Sequence, residues 1–373
     1  MTERESWKLF APIQVAKLTL KNRIVYPPHE TGWATENSEP TDRHLRLLTR
    51  IAAGGVGLIV NEAANVNPTM IATKYGIGIY DDKHIPAFKK LVDAVHKAGE
   101  DVKIIQQIVD KTIKRGMHLK HADTHKFRKP ADYSKDEIQD LINYFVAAAK
   151  RVKEAGFDGV QYHGAAVGTF TLGTFMSKFY NKRKDEFGGT LDGLMRMTID
   201  MHKRVREVVG PDFLISCRYN TEDYTDTGNT LKDGILISRR LDEAGVDLLH
   251  PQFYSPRRLD VTMPDAPFAW HTEWIKKYSK LKHAKICYDG KVASVQLAEE
   301  LLEENKTDLI GWCRPIFRDP DLPNKALAGR DDEINWCSWC NTCHDRFMND
   351  LTASCKLWPP EDKAYYEERG KPL

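Results

Sequence analysis

A closed α/β barrel is the fold this sequence predicts. Three features carry the prediction: eight short apolar, β-branched runs, amphipathic segments between them, and Ala-Gly pairs where several of those segments end. The first two runs are residues 23–26 (Arg-Ile-Val-Tyr) and 57–60 (Gly-Leu-Ile-Val), and a helical pattern over 83–97 follows, closed by Ala98-Gly99. The third run, 102–108, leads into a helix over 135–154 that Ala155-Gly156 terminates; the fourth, 159–162, leads into a helix over 191–208. The fifth run, 213–217, precedes a helix over 230–243 and Ala244-Gly245, and the sixth is 247–249. The seventh, 285–288, is joined to the eighth, 308–311, through a helix over 294–304. Glycine tolerates the left-handed conformation that ends a helix, so Ala-Gly before an apolar run reads as a helix returning into a strand. Strand-helix repetition implies a parallel sheet, and eight such units in roughly 300 residues suit a (β/α)8 TIM barrel better than an open sheet. The barrel is expected to occupy residues 1–329, with 330–373 as a short appended segment.

The chain has 373 residues and a formal net charge of +2, which recommends neither nucleic acid nor a membrane surface as partner. Its first residues are polar and charged and no apolar run reaches bilayer length, so the expectation is a cytoplasmic protein with reduced thiols. Homo-oligomerisation is left open. No Gly-x-Gly-x-x-Gly follows any predicted strand, and Gly54-Gly55-Val-Gly57 enters a strand instead of leaving one, so no dinucleotide fold is expected.

Of seven cysteines, Cys217, Cys287 and Cys313 fall in apolar runs, whereas Cys337-Ser-Trp-Cys340-Asn-Thr-Cys343 and Cys355 form a separate group. Two-residue gaps let three thiolates converge from one turn, and a fourth closes the cage, a pattern suited to a 4Fe-4S cluster. Structural zinc also takes four cysteines, though more often as two separated pairs. Disulfides are the weaker reading in a reducing compartment.

In such barrels chemistry sits at the C-terminal ends of the strands. The residues there are 27–32 (Pro-Pro-His-Glu-Thr-Gly), Gln107, Tyr162-His163-Gly164-Ala165, Arg218-Tyr219, Gly290-Lys291 and Cys313-Arg314. Gly-Lys after the seventh strand and Arg after the eighth stand where these barrels hold a phosphate, although each residue alone could be a solvated surface group. Residues 111–129 carry seven Lys or Arg against one Asp, either a solvated loop or a funnel for an anion, and Arg257-Arg258 after the sixth strand suit the same anion. Trp33, Tyr219, Tyr254 and Trp312 are available for an aromatic wall or for plain packing.

Residues 9–13, 20–24, 54–63, 155–160, 181–189 and 313–320 together are similar to the old yellow enzyme family of FMN barrels. The cysteine triplet beyond them resembles the family's iron-sulfur branch, which includes trimethylamine dehydrogenase and 2,4-dienoyl-CoA reductase. The resemblance implies that Gln107 meets the polar edge of the flavin, Arg218 its N1/O2 side, and Gly290, Lys291, Cys313 and Arg314 the phosphate. Pro27, His29 and Ala63 complete the seat. A fixed guanidinium near N1 fits this chemistry, because the reduced flavin is negative there.

Two departures shape the expectation. Where trimethylamine dehydrogenase attaches flavin through cysteine, this chain has Glu30, so FMN is expected to be noncovalent. The loop after the fourth strand keeps His163 but lacks the family's second His or Asn and its tyrosine. His163 is therefore either catalytic or structural, and the proton donor is expected among Tyr162, Tyr219 and Tyr254. The reaction favoured is reduction of an activated C=C bond in an anionic substrate bound by Arg257 and Arg258. Oxidation of an N-methylated amine and a non-catalytic electron-transfer role are the alternatives. Single electrons would come from a ferredoxin, an electron-transfer flavoprotein or an NAD(P)H-oxidising subunit.

Overall fold

The computed structural model describes residues 3–69, 74–112, 127–165, 168–253 and 260–373. The chain first makes a hairpin, β1 (Ile13–Val15) and β2 (Leu18–Leu20), paired antiparallel. The barrel follows as β3 (Ile24–Tyr26), α1 (Asp42–Ala53), β4 (Leu58–Asn65), α2 (Ile85–Ala98), β5 (Lys103–Val109), α3 (Lys135–Glu154) and β6 (Gly159–Gly164). Next come α4 (Thr171–Met176), α5 (Leu191–Val209), β7 (Leu214–Asn220), α6 (Leu231–Ala244) and β8 (Leu248–Gln252). After α7 (Ala269–Ser279) the barrel ends with β9 (Lys285–Tyr288), α8 (Val295–Glu303) and β10 (Leu309–Gly311). The eight strands from β3 to β10 pair parallel in chain order, and β10 closes on β3 with Ile310 opposite Ile24. The (β/α)8 barrel read from the sequence is the fold.

Side chains alternate across the barrel wall, as the two-residue period of a strand requires. Val25, Leu58, Val60, Ile105, Leu214, Leu248, Cys287 and Leu309 fill the interior, where Ile13, Val15 and Leu20 of the hairpin pack against them as a floor. Their neighbours Ile24, Ile59, Ile104, Val160, Ile215, Leu249, Ile286 and Ile310 belong to the outer core shared with the helices. The sequence reading did not include the hairpin: its strands are three residues each, joined through Ala16 at φ 52°.

Helix starts show the expected chemistry. Ser134 Oγ accepts from the Glu137 amide at 3.1 Å while the Glu137 carboxylate accepts from the Ser134 amide at 2.8 Å, satisfying two donors that open α3.

Beyond β10 come α9 (Cys313–Arg318), α10 (Leu322–Leu327), α11 (Thr342–Met348) and α12 (Pro360–Glu367). Residues 330–373 do not build a core of their own, because Ala353, Trp358 and Tyr366 join the barrel's outer core. Trp33 stacks on Tyr366 at 4.9 Å, and Phe317 of α9 lies 4.6 Å from Trp358. Two backbone bonds tie the segment down, Ala353 N to Thr31 O at 2.7 Å and Asp42 N to Lys371 O at 3.0 Å. Among the described residues, no helix is long and apolar enough to cross a membrane.

Candidate active site at the barrel mouth

Two residues above the apolar floor, the same inward alternation delivers polar side chains. Ile105 is followed by Gln107, Gly159 by Gln161, Leu214 by Ser216, Leu248 by His250 and Cys287 by Asp289. Gln107 Nε2 donates to Gln161 Oε1 at 2.8 Å, and Gln161 Nε2 donates to Ser216 Oγ at 2.9 Å. One step higher, Arg218 donates to Asp289 Oδ2 at 2.8 Å and to Gln252 Oε1 at 3.0 Å, and lies 3.1 Å from His250 Nε2. The result is a hydrogen-bonded layer around a fixed guanidinium, positioned by four adjacent strands.

Burial alone would raise the Asp289 carboxyl, but Arg218 and His250 outweigh it and hold it well below the usual carboxylate range. Burial, reinforced by Arg218, lowers His250. His163 is lowered further, first by burial and then by Arg218, Lys111 and His250, so its imidazole is neutral at pH 7. Among the described residues its Nδ1 has no hydrogen-bond partner, and its ring lies 4.0 Å from that of Phe170. Phe170, Ala63 and Val109 form a small apolar patch beside it.

The first-strand loop contributes His29, whose ring edge meets Phe317 at 4.5 Å and whose Nδ1 also lacks a partner among the described residues. Burial, with His344 and Arg314 adding to it, pushes His29 down to about 3. Beside it, close approach is built into Gly311 and Gly290. A Cβ on Gly311 would lie 2.6 Å from Asp289 Cβ and 2.9 Å from Pro27, and one on Gly290 would lie 2.4 Å from the Tyr288 hydroxyl.

Several expected roles change. Tyr162 faces the helices, fully buried with its ring 6.2 Å from that of His202 on α5. Tyr219 likewise points outward and meets Ser238 of α6. Since His163 and Arg218 point inward, their immediate neighbours cannot, and neither tyrosine reaches the mouth to give a proton. Lys291 turns its amine to the Met263 carbonyl and Asp265, and the Arg314 side chain binds Asn341 and stacks 4.5 Å over Trp339. Cys313 is half-buried at the start of α9, with its thiol pushed up to about 12 by burial. Tyr254, Arg257 and Arg258 lie outside the described residues, as do residues 113–126 of the basic stretch. The sequence reading missed Gln161 and His250 and placed Asp289 at the end of the seventh strand without a role, although the alternation that turns His163 and Arg218 inward turns all three inward too.

Cys337, Cys340, Cys343 and Cys355 line one small pocket, walled on the barrel side by Arg314 and Phe317 of α9. Left-handed backbone at Trp339 (φ 55°) and Asn341 (φ 60°) curls the loop around it, and the Trp339 amide donates to Cys337 Sγ at 3.3 Å. Burial raises the thiols of Cys337 and Cys355 and lifts Cys343 to about 12; at Cys340 the bonds from Thr342 outweigh burial and lower it. Among the described residues no three His, Cys, Asp or Glu side chains converge closely enough to grip one metal ion. A cuboidal cluster fits that donor set, since it spreads its four thiolates more widely than a single ion does. At the mouth Gln107 and Arg218 present the donors that the polar edge of a flavin would need, and His163 Nδ1 beside them has no hydrogen-bond partner among the described residues.

Residues 8–333 match the model of the NADH:flavin oxidoreductase / NADH oxidase family. The chain is 31% identical over 366 residues to an NADH oxidase of Thermoanaerobacter brockii, covering 94% of this chain and 56% of that one. It is 30% identical over 351 residues to the NADPH dehydrogenase of Bacillus subtilis, covering 88% and 96%. The solved structure of a 2-naphthoyl-CoA reductase complexed with 2-naphthoyl-CoA matches with a TM-score of 0.86 at 25% identity, covering 94% of this chain and 57% of that one. The chain thus spans about half the length of the first curated relatives it matches.

Proposed function

Since this chain belongs to the NADH:flavin oxidoreductase / NADH oxidase family, whose barrels use FMN, we propose that it reduces an activated C=C bond of an anionic small molecule and that Cys337, Cys340, Cys343 and Cys355 hold a 4Fe-4S cluster. The observation that carries the reading is the four-cysteine cavity lying against α9, the helix that leaves the last barrel strand. FMN supplies hydride transfer when bound, and a cluster exchanges single electrons.

The chain's own residues have these roles. Gln107 and Arg218 orient the polar edge of the ring, with Pro27, Ala63 and the Gly290 and Gly311 turns shaping its seat. Asp289, His250 and Gln252 hold the Arg218 guanidinium in place, and Gly290, Cys313 and Arg314 would hold the phosphate. His163, kept neutral, offers the substrate's activating oxygen a hydrogen bond. Single electrons pass to or from a separate redox protein or an NAD(P)H-oxidising unit.

Anaerobic purification followed by flavin, iron and sulfide assays, with a panel of enoates and N-methylated amines, tests the reading. The expected result is noncovalent FMN, about four irons per chain lost in Cys355→Ser, and turnover of an enoate. Zinc without sulfide would refute the cluster, turnover of amines alone would replace the reaction, and a loaded protein inert to both would be an electron carrier.

A further inference from the structure

Beyond Val109 the chain places a lysine where few barrels bury one. The Lys111 side chain is 1% exposed, at the C-terminal end of β5, and its ammonium lies 5.7 Å from the Phe170 ring that packs against His163. An antiparallel bridge between Lys111 and Phe170 fixes the backbone below it. A buried ammonium requires an anion, and here it donates to Glu30 Oε1 at 2.7 Å.

The pair is lopsided. Lys111 is held by the end of a barrel strand, whereas Glu30 sits on the loop after β3 with its side chain 26% exposed. Among the described residues Lys111 is the only hydrogen-bond or ion-pair partner of the Glu30 carboxylate. One face of the carboxylate is therefore in reach of solvent, while the cation it neutralises lies 5.7 Å from the Phe170 ring, which is itself 4.0 Å from that of His163.

We propose that Lys111 is the receptor for the substrate's carboxylate and that Glu30 occupies this receptor until the substrate displaces it. The inference rests on the reading of the site as a reductase of anionic substrates and names the chemical class, an α,β-unsaturated carboxylate. A carboxylate arriving from water exchanges with Glu30 for the same ammonium, so the buried charge is never left alone. Glu30, released, returns to solvent at the rim.

The two partners must then act in opposite directions, which a purely structural ion pair would not do. The test uses the loaded protein and calorimetric titration with cinnamate and its neutral counterpart cinnamamide. Lys111→Met is expected to weaken cinnamate at least about tenfold and Lys111→Arg to restore much of it, while Glu30→Gln tightens cinnamate by removing its competitor; cinnamamide should be indifferent to all three. The double variant Lys111→Met/Glu30→Met removes both charges and guards against misfolding; it should bind cinnamamide normally and cinnamate poorly. Equal losses for both ligands, or weaker cinnamate binding in Glu30→Gln, would overturn the proposal. If the wild type takes cinnamamide as well as cinnamate and reduces it, the receptor is refuted while the reductase reading stands. If it neither binds nor reduces either compound, both fail.

Discussion

At Arg218 a single side chain gathers three neighbours, His250 and Gln252 from β8 and Asp289 just after β9, so its position is decided by the barrel and not by its own rotamer. Asp289→Asn would leave the guanidinium buried with one negative partner fewer. The expected loss is about 3–5 kcal/mol of stability together with weaker FMN retention, read by urea denaturation and by flavin released on dialysis. A second prediction concerns pH. Burial lowers His202 and His271 to about 4 each, well below the roughly 6.5 of an unfolded histidine. The unfolded chain therefore binds more protons between about pH 6.5 and 4, and stability, full above pH 6.5, falls as pH drops through that window. The melting temperature should decline from pH 7 to 4.5, and His202→Phe with His271→Phe should flatten the decline. Strand-end position sufficed to single out His163 and Arg218 in the sequence. Parity along the strand, the further step, separates them from Tyr162 and Tyr219 and would have selected Gln161 and His250 as well.

The elements themselves were legible wherever length and period were both present. Eight strands and the long helices followed from apolar runs and Ala-Gly returns, because each buries a continuous stripe. The hairpin β1–β2 escaped because six paired residues carry no periodicity, and only the barrel interior gives Val15 and Leu20 something to pack against. Its role as floor makes a third prediction. Leu20→Ala should cost about 2–5 kcal/mol by leaving a void below the barrel, yet leave the flavin spectrum unchanged, since the polar layer stands above that floor. A shifted flavin absorbance in the folded variant would contradict this separation. Short helices such as α4 and α9 escaped for a similar reason, being single turns or little more whose start is set by tertiary contacts.

For the molecule as a whole, the segment after residue 329 was legible as a cysteine-bearing appendage, but its attachment was not. That attachment consists of contacts between residues hundreds of positions apart, such as Trp33 with Tyr366, which no local pattern encodes. Trp358→Ala should cost about 3–5 kcal/mol, and iron loading should drop with it if the cavity holds a cluster, because Trp358 follows Cys355 by three residues and packs on Phe317, which walls that cavity.

The places where the segment holds on have a mechanical meaning. It grips Thr31 and Gly32 just after β3 and, through Trp358, the Phe317 and Arg318 carbonyls just after β10. Those two strands are the first and last of the barrel, and their pairing is the seam at which the cylinder is joined. A cylinder sewn from one ribbon parts most easily along its seam, and here a buckle lies across it. The thiols are carried on that buckle, so a cluster bound by them would also tighten the hoop around the barrel mouth. Removing the cluster should let the amides of β3 and β10 exchange with solvent sooner than those of β6 and β7 on the unbroken side.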